Sequence, residues 1–224
     1  MGGVPAMIYL SSVTMPRHWP ALAAAGIGIM LTPAHGVRLG VCGQLPHWAA
    51  DNGCYNQGSN FSLDGFMRWL EAMEPAQATC LFAVAPDVVG DAQATLDRSR
   101  PVLPVLRQLG WPAAFVAQDG LEELAVPWDE FDVLFVGGTT AWKLSEAAFG
   151  LARTARALGK WTHLGRVNTL RRLRAAVAGG YDSADGTNGS FGPDRRVPQL
   201  CRWVRHVNAQ RALVAALGPE GSDR

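Results

Sequence analysis

The stretch WTHLGRVNTLRRLRAAVAGGYDSADG, residues 161–186, carries the pattern on which the fold turns. A short apolar run, WTHLGR (161–166), leads to TLRRLRAAVAGG (169–180), where apolar residues recur at three- and four-residue spacing before two glycines. A second short run, YDSADG (181–186), follows. That spacing is the helical period, and glycine is a common helix stop. Strand, helix and strand in this order form a crossover unit, which joins parallel strands.

The same alternation runs back through the chain. Further short runs are MIYLSS (7–12), GIGIMLTP (26–33), HWAADNG (47–53), CLFAVAPD (80–87), AAFVAQDG (113–120) and DVLFVGGT (132–139), and helix-like stretches lie at 61–73, 91–110 and 143–159. Eight strands alternating with helices predict an α/β fold, a closed (β/α)8 barrel of the TIM type, as one domain over residues 1–224. The length is near the short end for that fold, so some connections must be brief or irregular. An open doubly wound sheet competes, but it usually carries a glycine-rich nucleotide turn after its first strand, and MIYLSSVTM (7–15) has none.

Composition narrows the function. The chain has 224 residues, 48% of them hydrophobic, enough for one sizeable core. Its four cysteines form no C-x-x-C pair and its five histidines lack ligand spacing, so neither a zinc site nor a disulfide framework is indicated. The N-terminal stretch has no basic leader with an apolar core and cleavage pattern, and no apolar run is long enough to span a bilayer. A soluble protein of a reducing cytoplasm, without a membrane partner, is expected. The net charge of +1 hides a division: residues 1–150 hold 7 Lys and Arg against 14 Asp and Glu, whereas residues 151–224 hold 13 against 5. Arginines dominate that basic third, which suits either bidentate phosphate contact or a solvated helix face.

Polar residues and glycines gather where the apolar runs stop. Asp51, Asp87, Gln118, the pair Gly137 and Gly138, and Asp185 end five different candidate strands. In a barrel those ends converge on one mouth, where active sites sit, although each residue alone is also an ordinary turn or helix-cap residue. Asp182 and Asp185 are three apart, so on a strand they face opposite sides and only one can enter the mouth. Asp185 is the choice, with Asp182 bonding backbone or an arginine. His163 reads as a hydrogen-bonded core histidine or a catalytic one, Cys54 as a small pocket-wall residue, and Trp142, Trp161 and Trp203 as packing or base-stacking residues.

Five segments, DNGCYN (51–56), AVAPD (83–87), FVAQDG (115–120), FVGGT (135–139) and HLGRVNTLRRLRAAVAGGYDSADGT (163–187), together resemble, in order, the motifs of the queuine-type tRNA-guanine transglycosylases. The resemblance covers roughly residues 45–190. It implies that Asp185 is the nucleophile and Asp51 the acid/base. Asp87 and Gln118, with the backbone at Gly137 and Gly138, would read a guanine-like base, and Tyr55 and Leu164 fall where the family sandwiches it. The family's C-terminal C-x-C-x-x-C and His zinc site has no counterpart, so the chain most resembles compact zinc-free viral relatives that insert 7-deazaguanines into DNA. No metal or cofactor is implied. The implied partners are DNA, with tRNA as the alternative, and a free 7-deazaguanine base of the preQ0 type; a viral protein would work in the host cytoplasm.

Chemistry is consistent with those roles. Exchange breaks the bond between C1′ and the base through an oxocarbenium-like transition state; one carboxylate can attack C1′, and a second, with a raised pKa, can serve the leaving and incoming bases. Guanine offers N1–H and a 2-amino group as donors and O6 as an acceptor, matched by a carboxylate and an amide, and Asp91 is an alternative to Asp87. A duplex base must be flipped out to reach such a pocket, and Arg166, Arg195 and Arg196 are candidates to hold the phosphate backbone. Two other classes remain open: a non-catalytic nucleic-acid-binding barrel, and a glycosidase or similar hydrolase.

Overall fold

The computed structural model describes residues 5–57 and 60–217, so the ends of the expected 1–224 domain lie outside the described residues. All eight apolar runs are strands: β1 Ile8–Ser11, β2 Ile27–Leu31, β3 Trp48–Ala50, β4 Cys80–Val84, β5 Ala113–Ala117, β6 Val133–Val136, β7 Trp161–Leu164 and β8 Ser183–Gly186. They pair in sequence order, all parallel, and β8 returns to β1 with Leu10 opposite Asp185. That closure makes the fold a TIM-type (β/α)8 barrel and removes the open-sheet alternative.

Helices cover the outside. They are α1 Trp19–Ala23, α2 Leu39–Cys42, α3 Cys54–Gln57, α4 Leu63–Met73, α5 Ala92–Ser99, α6 Leu103–Gln108, α7 Glu146–Ala157, α8 Leu170–Ala178 and α9 Pro193–Leu217. One of the brief, irregular connections that the length requires lies between β5 and β6, where two 3-10 turns, Leu121–Glu123 and Trp128–Glu130, replace a helix. The stretch 91–110 divides into α5 and α6 around Pro101, and Pro104 sits in the first turn of α6, where a missing N–H costs nothing.

Side-chain hydroxyls and carboxylates start the helices. Ser62 accepts from Gly65 N at the head of α4, Asp91 from Ala94 N at α5, Ser145 from Ala148 N at α7 and Thr169 from Arg172 N at α8. Asp91 is thus a helix cap, which is the commoner role for an acid in that place. The helix α9 has no counterpart among the helix-like stretches read from sequence. Pro198 interrupts its hydrogen-bond ladder, and the apolar residues that pack it, Val197, Leu200, Val204 and Val207, are interleaved with exposed arginines.

Two apolar layers hold the barrel. Leu10, Phe82, Val84, Val116 and Val133 belong to the smaller cluster, and Tyr9, Ile29, Phe115, Leu134 and Leu164 to the larger one. Residues adjacent on one strand fall in different clusters because strand side chains alternate between faces. On the inward face the polar exception is on β7 and β8, where His163 and Ser183 are completely buried side by side.

Candidate active site

The strand ends frame a cavity of about 300 Å³ at the C-terminal mouth, lined by Asp51, Tyr55, Asp87, Gln118, Gly137, Gly138, Arg166 and Asp185 among others. Eight of the residues singled out from the sequence therefore meet in one place. This volume is at the lower end of ligand sites, which run from about 300 to 1,000 Å³.

Asp185 sits at the mouth end of β8. Its Oδ1 accepts from His163 Nε2 and from the Arg166 backbone N–H, each at 3.1 Å, and among the described residues no donor reaches Oδ2. The strand that carries it is locked by Val167 N, which donates to the Asp185 carbonyl at 2.6 Å. Gly186 follows because a Cβ there would collide with Tyr9 Oη, Asn168 Oδ1 and the Val167 carbonyl. Asp182 lies at the other end of the strand: its Oδ2 accepts from Thr162 N at 2.8 Å and Thr162 Oγ1 at 2.9 Å, a purely structural role.

Asp51 immediately follows β3. Its Oδ1 accepts from Gly53 N at 2.8 Å. Burial first, and then the negative charges of Asp185 and Asp87, push its carboxyl from the ordinary 3.8 up to about 7, against the pull of the Gly53 bond. A group poised there can both give and take a proton near neutral pH.

Asp87 anchors the opposite wall. Oδ1 accepts from Asn52 Nδ2 at 3.0 Å and Oδ2 from Gln118 Nε2 at 2.7 Å. Burial raises its pKa, while the two amide bonds oppose the shift. Gln118 Oε1 takes the N–H groups of Gly90 at 2.9 Å and Gly138 at 3.0 Å. The N–H of Gly137 goes to the Ala117 carbonyl at 2.9 Å. The expectation that the backbone N–H at Gly137 or Gly138 faces a base is therefore corrected: both are consumed inside the wall, and the donor left there is the second hydrogen of Gln118 Nε2. Glycine is required at 138, where φ is +56° and a Cβ would strike the Trp142 ring.

Arg166 closes the cavity from the β7 side. Its backbone is left-handed, φ +57°, a conformation that costs a non-glycine residue about 1–2 kcal/mol. Three contacts hold it there: the backbone bond to Asp185, a guanidinium bond to the Gly138 carbonyl, and the guanidinium lying 4.8 Å from the Tyr55 ring centre. Arg166 is thus part of the pocket wall. Tyr55, at 61% exposure, offers its ring at the rim.

Leu164 does not line the cavity. It is fully buried in the larger apolar cluster with Val136 and Leu173, because its neighbour His163 takes the inward face of β7 and alternation sends Leu164 outward. Phe135 on β6 supplies apolar wall instead, with Val84 and Val116. Arg195 and Arg196 lie in the first turns of α9, exposed and outside the cavity lining; Arg196 Nη1 donates to Asn188 Oδ1 at 2.9 Å. Cys54 is buried beside the cavity, its thiol pushed up to about 11 by burial. Sequence reading missed Tyr9, whose hydroxyl donates to the Val167 carbonyl at 2.9 Å beneath the Asp185 loop, and whose pKa burial and the Asp185 charge raise. No group of three or more His, Cys, Asp or Glu residues able to hold a metal occurs among the described residues. Among the same residues no helix is long and apolar enough to cross a membrane.

No protein-family model matches the sequence, and no curated protein matches it. Solved structures do match over nearly the whole chain. A tryptophan synthase from M. tuberculosis, in an open form with BRD0059 bound, is 15% identical with a TM-score of 0.54, each chain covered to 92%. A structure described as native KDPGal is 11% identical with a TM-score of 0.56, covering 97% of this chain and 98% of its own. The Amycolatopsis orientalis BexX/CysO complex gives 13% identity and a TM-score of 0.57, covering 96% and 93%. At these identities the likeness is one of fold.

Proposed function

We propose that the protein is a base-exchange transglycosylase that replaces guanine in DNA with a 7-deazaguanine of the preQ0 type, as its resemblance to the transglycosylases implies. The observation that carries this reading is the pairing in one cavity of Asp185, with Oδ2 free of hydrogen bonds among the described residues, and Asp51, with its carboxyl raised to about 7. Oδ2 attacks C1′ as the bond to guanine breaks, and Asp51 gives the departing base its proton. The incoming base then loses a proton to Asp51 and attacks C1′, which releases Asp185. Two displacements retain the anomeric configuration.

Asp87 accepts from N1–H and the 2-amino group through lone pairs that Asn52 and Gln118 leave open, and the remaining Gln118 hydrogen meets O6. Adenine would leave buried groups unpaired in such a site. Tyr55 and Phe135 offer aromatic surface for the flipped base, and Arg195 and Arg196 hold the phosphate backbone beyond the rim.

The test is uptake of label. Incubation with radiolabelled guanine and duplex DNA should label the DNA, and Asp185→Asn should not. Label in tRNA but not DNA would move the same chemistry to RNA. Label in neither polymer, with wild-type protein that binds neither, would overturn the reading in favour of a small-molecule barrel hydrolase.

A further inference from the structure

A polar column climbs the inside of an otherwise apolar barrel. Trp161 and His163 on β7 and Ser183 and Asp185 on β8 share the inward face, and their contacts run in one line. Trp161 Nε1 lies 2.8 Å from Ser183 Oγ, Ser183 Oγ lies 2.8 Å from His163 Nδ1, and His163 Nε2 lies 3.1 Å from Asp185 Oδ1. The His163 ring is packed between Phe82 and Phe135, with centroids 5.0 and 4.5 Å away.

The direction of these bonds follows from the two groups with no choice. An indole N–H only donates, so Ser183 Oγ accepts from Trp161, and the attacking carboxylate of Asp185 only accepts, so His163 presents a hydrogen on Nε2. In that tautomer Nδ1 is an acceptor, which Ser183 Oγ meets with its own hydrogen. Ser183 and Trp161 thereby support the tautomer that gives Asp185 Oδ1 a second donor beside the Arg166 N–H.

We propose that His163, set by Ser183 and Trp161, is a positioning residue that reserves Oδ2 of Asp185 for attack and speeds its departure in the second displacement. The inference rests on Asp185 being the nucleophile in the reaction proposed above. In the first step Oδ2 bonds to C1′ as the C1′–N bond breaks, and Oδ1 becomes the ester carbonyl, still held by two donors. In the second step the incoming base attacks C1′ and gives its proton to Asp51, while the C1′–Oδ2 pair returns to the carboxylate. The negative charge that reappears spreads onto Oδ1, where His163 Nε2–H and Arg166 N–H meet it. Donors that stabilise the carboxylate do not help it attack, but they help it leave. Loss of the His163 donor must therefore fall mainly on the second step.

The experiment separates the two steps in the full-length protein. Enzyme and duplex DNA mixed without free base give the covalent adduct, read on a denaturing gel, and a guanine chase discharges it. His163→Phe should form the adduct within about threefold of the wild-type rate and discharge it about ten- to a hundredfold more slowly, the worth of a charge-assisted hydrogen bond. Ser183→Ala, which frees the tautomer but keeps the ring, should show the same split to a smaller degree. His163→Gln, which returns an N–H donor, should restore discharge to within about threefold. Unchanged discharge in folded His163→Phe and Ser183→Ala, or an equal fall in both steps, would overturn the proposal. If His163→Phe does not fold, unchanged discharge in Ser183→Ala overturns it alone. Absence of any wild-type adduct together with label exchange that survives Asp185→Asn would instead remove Asp185 as nucleophile, and this inference with it.

Discussion

The two walls of the cavity follow opposite hydrogen-bonding plans. On the β3 to β6 side, Asn52, Asp87, Gln118 and the Gly90 and Gly138 N–H groups bond one another in a closed set. On the β7 to β8 side, Asp185 concentrates its donors on Oδ1 and keeps Oδ2 bare. The first plan gives a rigid, pre-shaped surface, suited to recognition, because each buried polar group is held by its neighbours. The second leaves one carboxylate oxygen available in a fixed direction. In the proposed reaction, a wall that reads and a wall that reacts need different degrees of satisfaction.

Removing the bare oxygen should break the contrast most severely. Asp185→Asn should lower base exchange by at least about a thousandfold in a label-uptake assay while circular dichroism and DNA binding stay near wild type, since the amide keeps the shape but not the nucleophile. Asp182→Asn, on the same strand, should leave turnover intact and lower stability by about 1–3 kcal/mol in urea unfolding, because Thr162 loses a charged acceptor.

Asp51 stands between the walls, and its effect should be next in size. Asp51→Asn should cut kcat by about a hundred- to ten-thousandfold and abolish the alkaline fall of the wild-type profile near pH 7, which reports loss of the proton destined for the leaving base. Its folded pKa lies above the ordinary value, so folding favours the protonated form. The resulting stability is fully present below about pH 4 and lost as pH rises through 7. Asp51→Asn should therefore be more stable than wild type at pH 8, by about 1–3 kcal/mol for a half-buried group, in denaturant titrations at both pH values.

The reading wall should yield a binding defect. Asp87→Ala should raise KM for the incoming base about ten- to a hundredfold and relax discrimination against adenine-like analogues, with a smaller change in kcat. It should also cost about 1–3 kcal/mol of stability, since Asn52 and Gln118 lose an acceptor.

The smallest effect should come from outside both walls. Replacing Arg195 and Arg196 with alanine should flatten the salt dependence of DNA binding by about 0.9 in log–log slope for each phosphate that is no longer neutralised, with turnover at saturation unchanged. A wild-type slope in the double mutant would shift the grip to Arg171, Arg172 and Arg174.

Much of this molecule was legible in one dimension because its governing patterns are local. Strand and helix alternation depends on residue periodicity and on glycine and proline stops, so all eight strands were readable, as was the gathering of Asp51, Asp87, Gln118 and Asp185 at strand ends. A period of two put Asp182 and Asp185 on opposite faces, and the position of Asp185 at the end of its run, with the resemblance to the transglycosylases, decided between them. The misreadings involve registers and partners that no local pattern encodes. Leu164 belongs to the outer core because His163 claims the inward face, and the Gly138 N–H is spent on a glutamine twenty residues earlier in the chain.

By itself, the sequence determined a parallel eight-stranded barrel, the polar residues at its strand ends and the basic character of its last third, since periodicity and composition act within a few residues. Only the tertiary structure decided which oxygen of Asp185 is free of hydrogen bonds among the described residues, that Tyr9 lies beneath the loop after Leu164 that holds Asp185, and that a tryptophan and a serine line up with His163. Those facts depend on β8 closing onto both β7 and β1. Hydrogen bonds and pKa shifts arise from atoms within a few ångströms of one another in space, and the chain brings those atoms together from positions as far apart as Tyr9 and Val167.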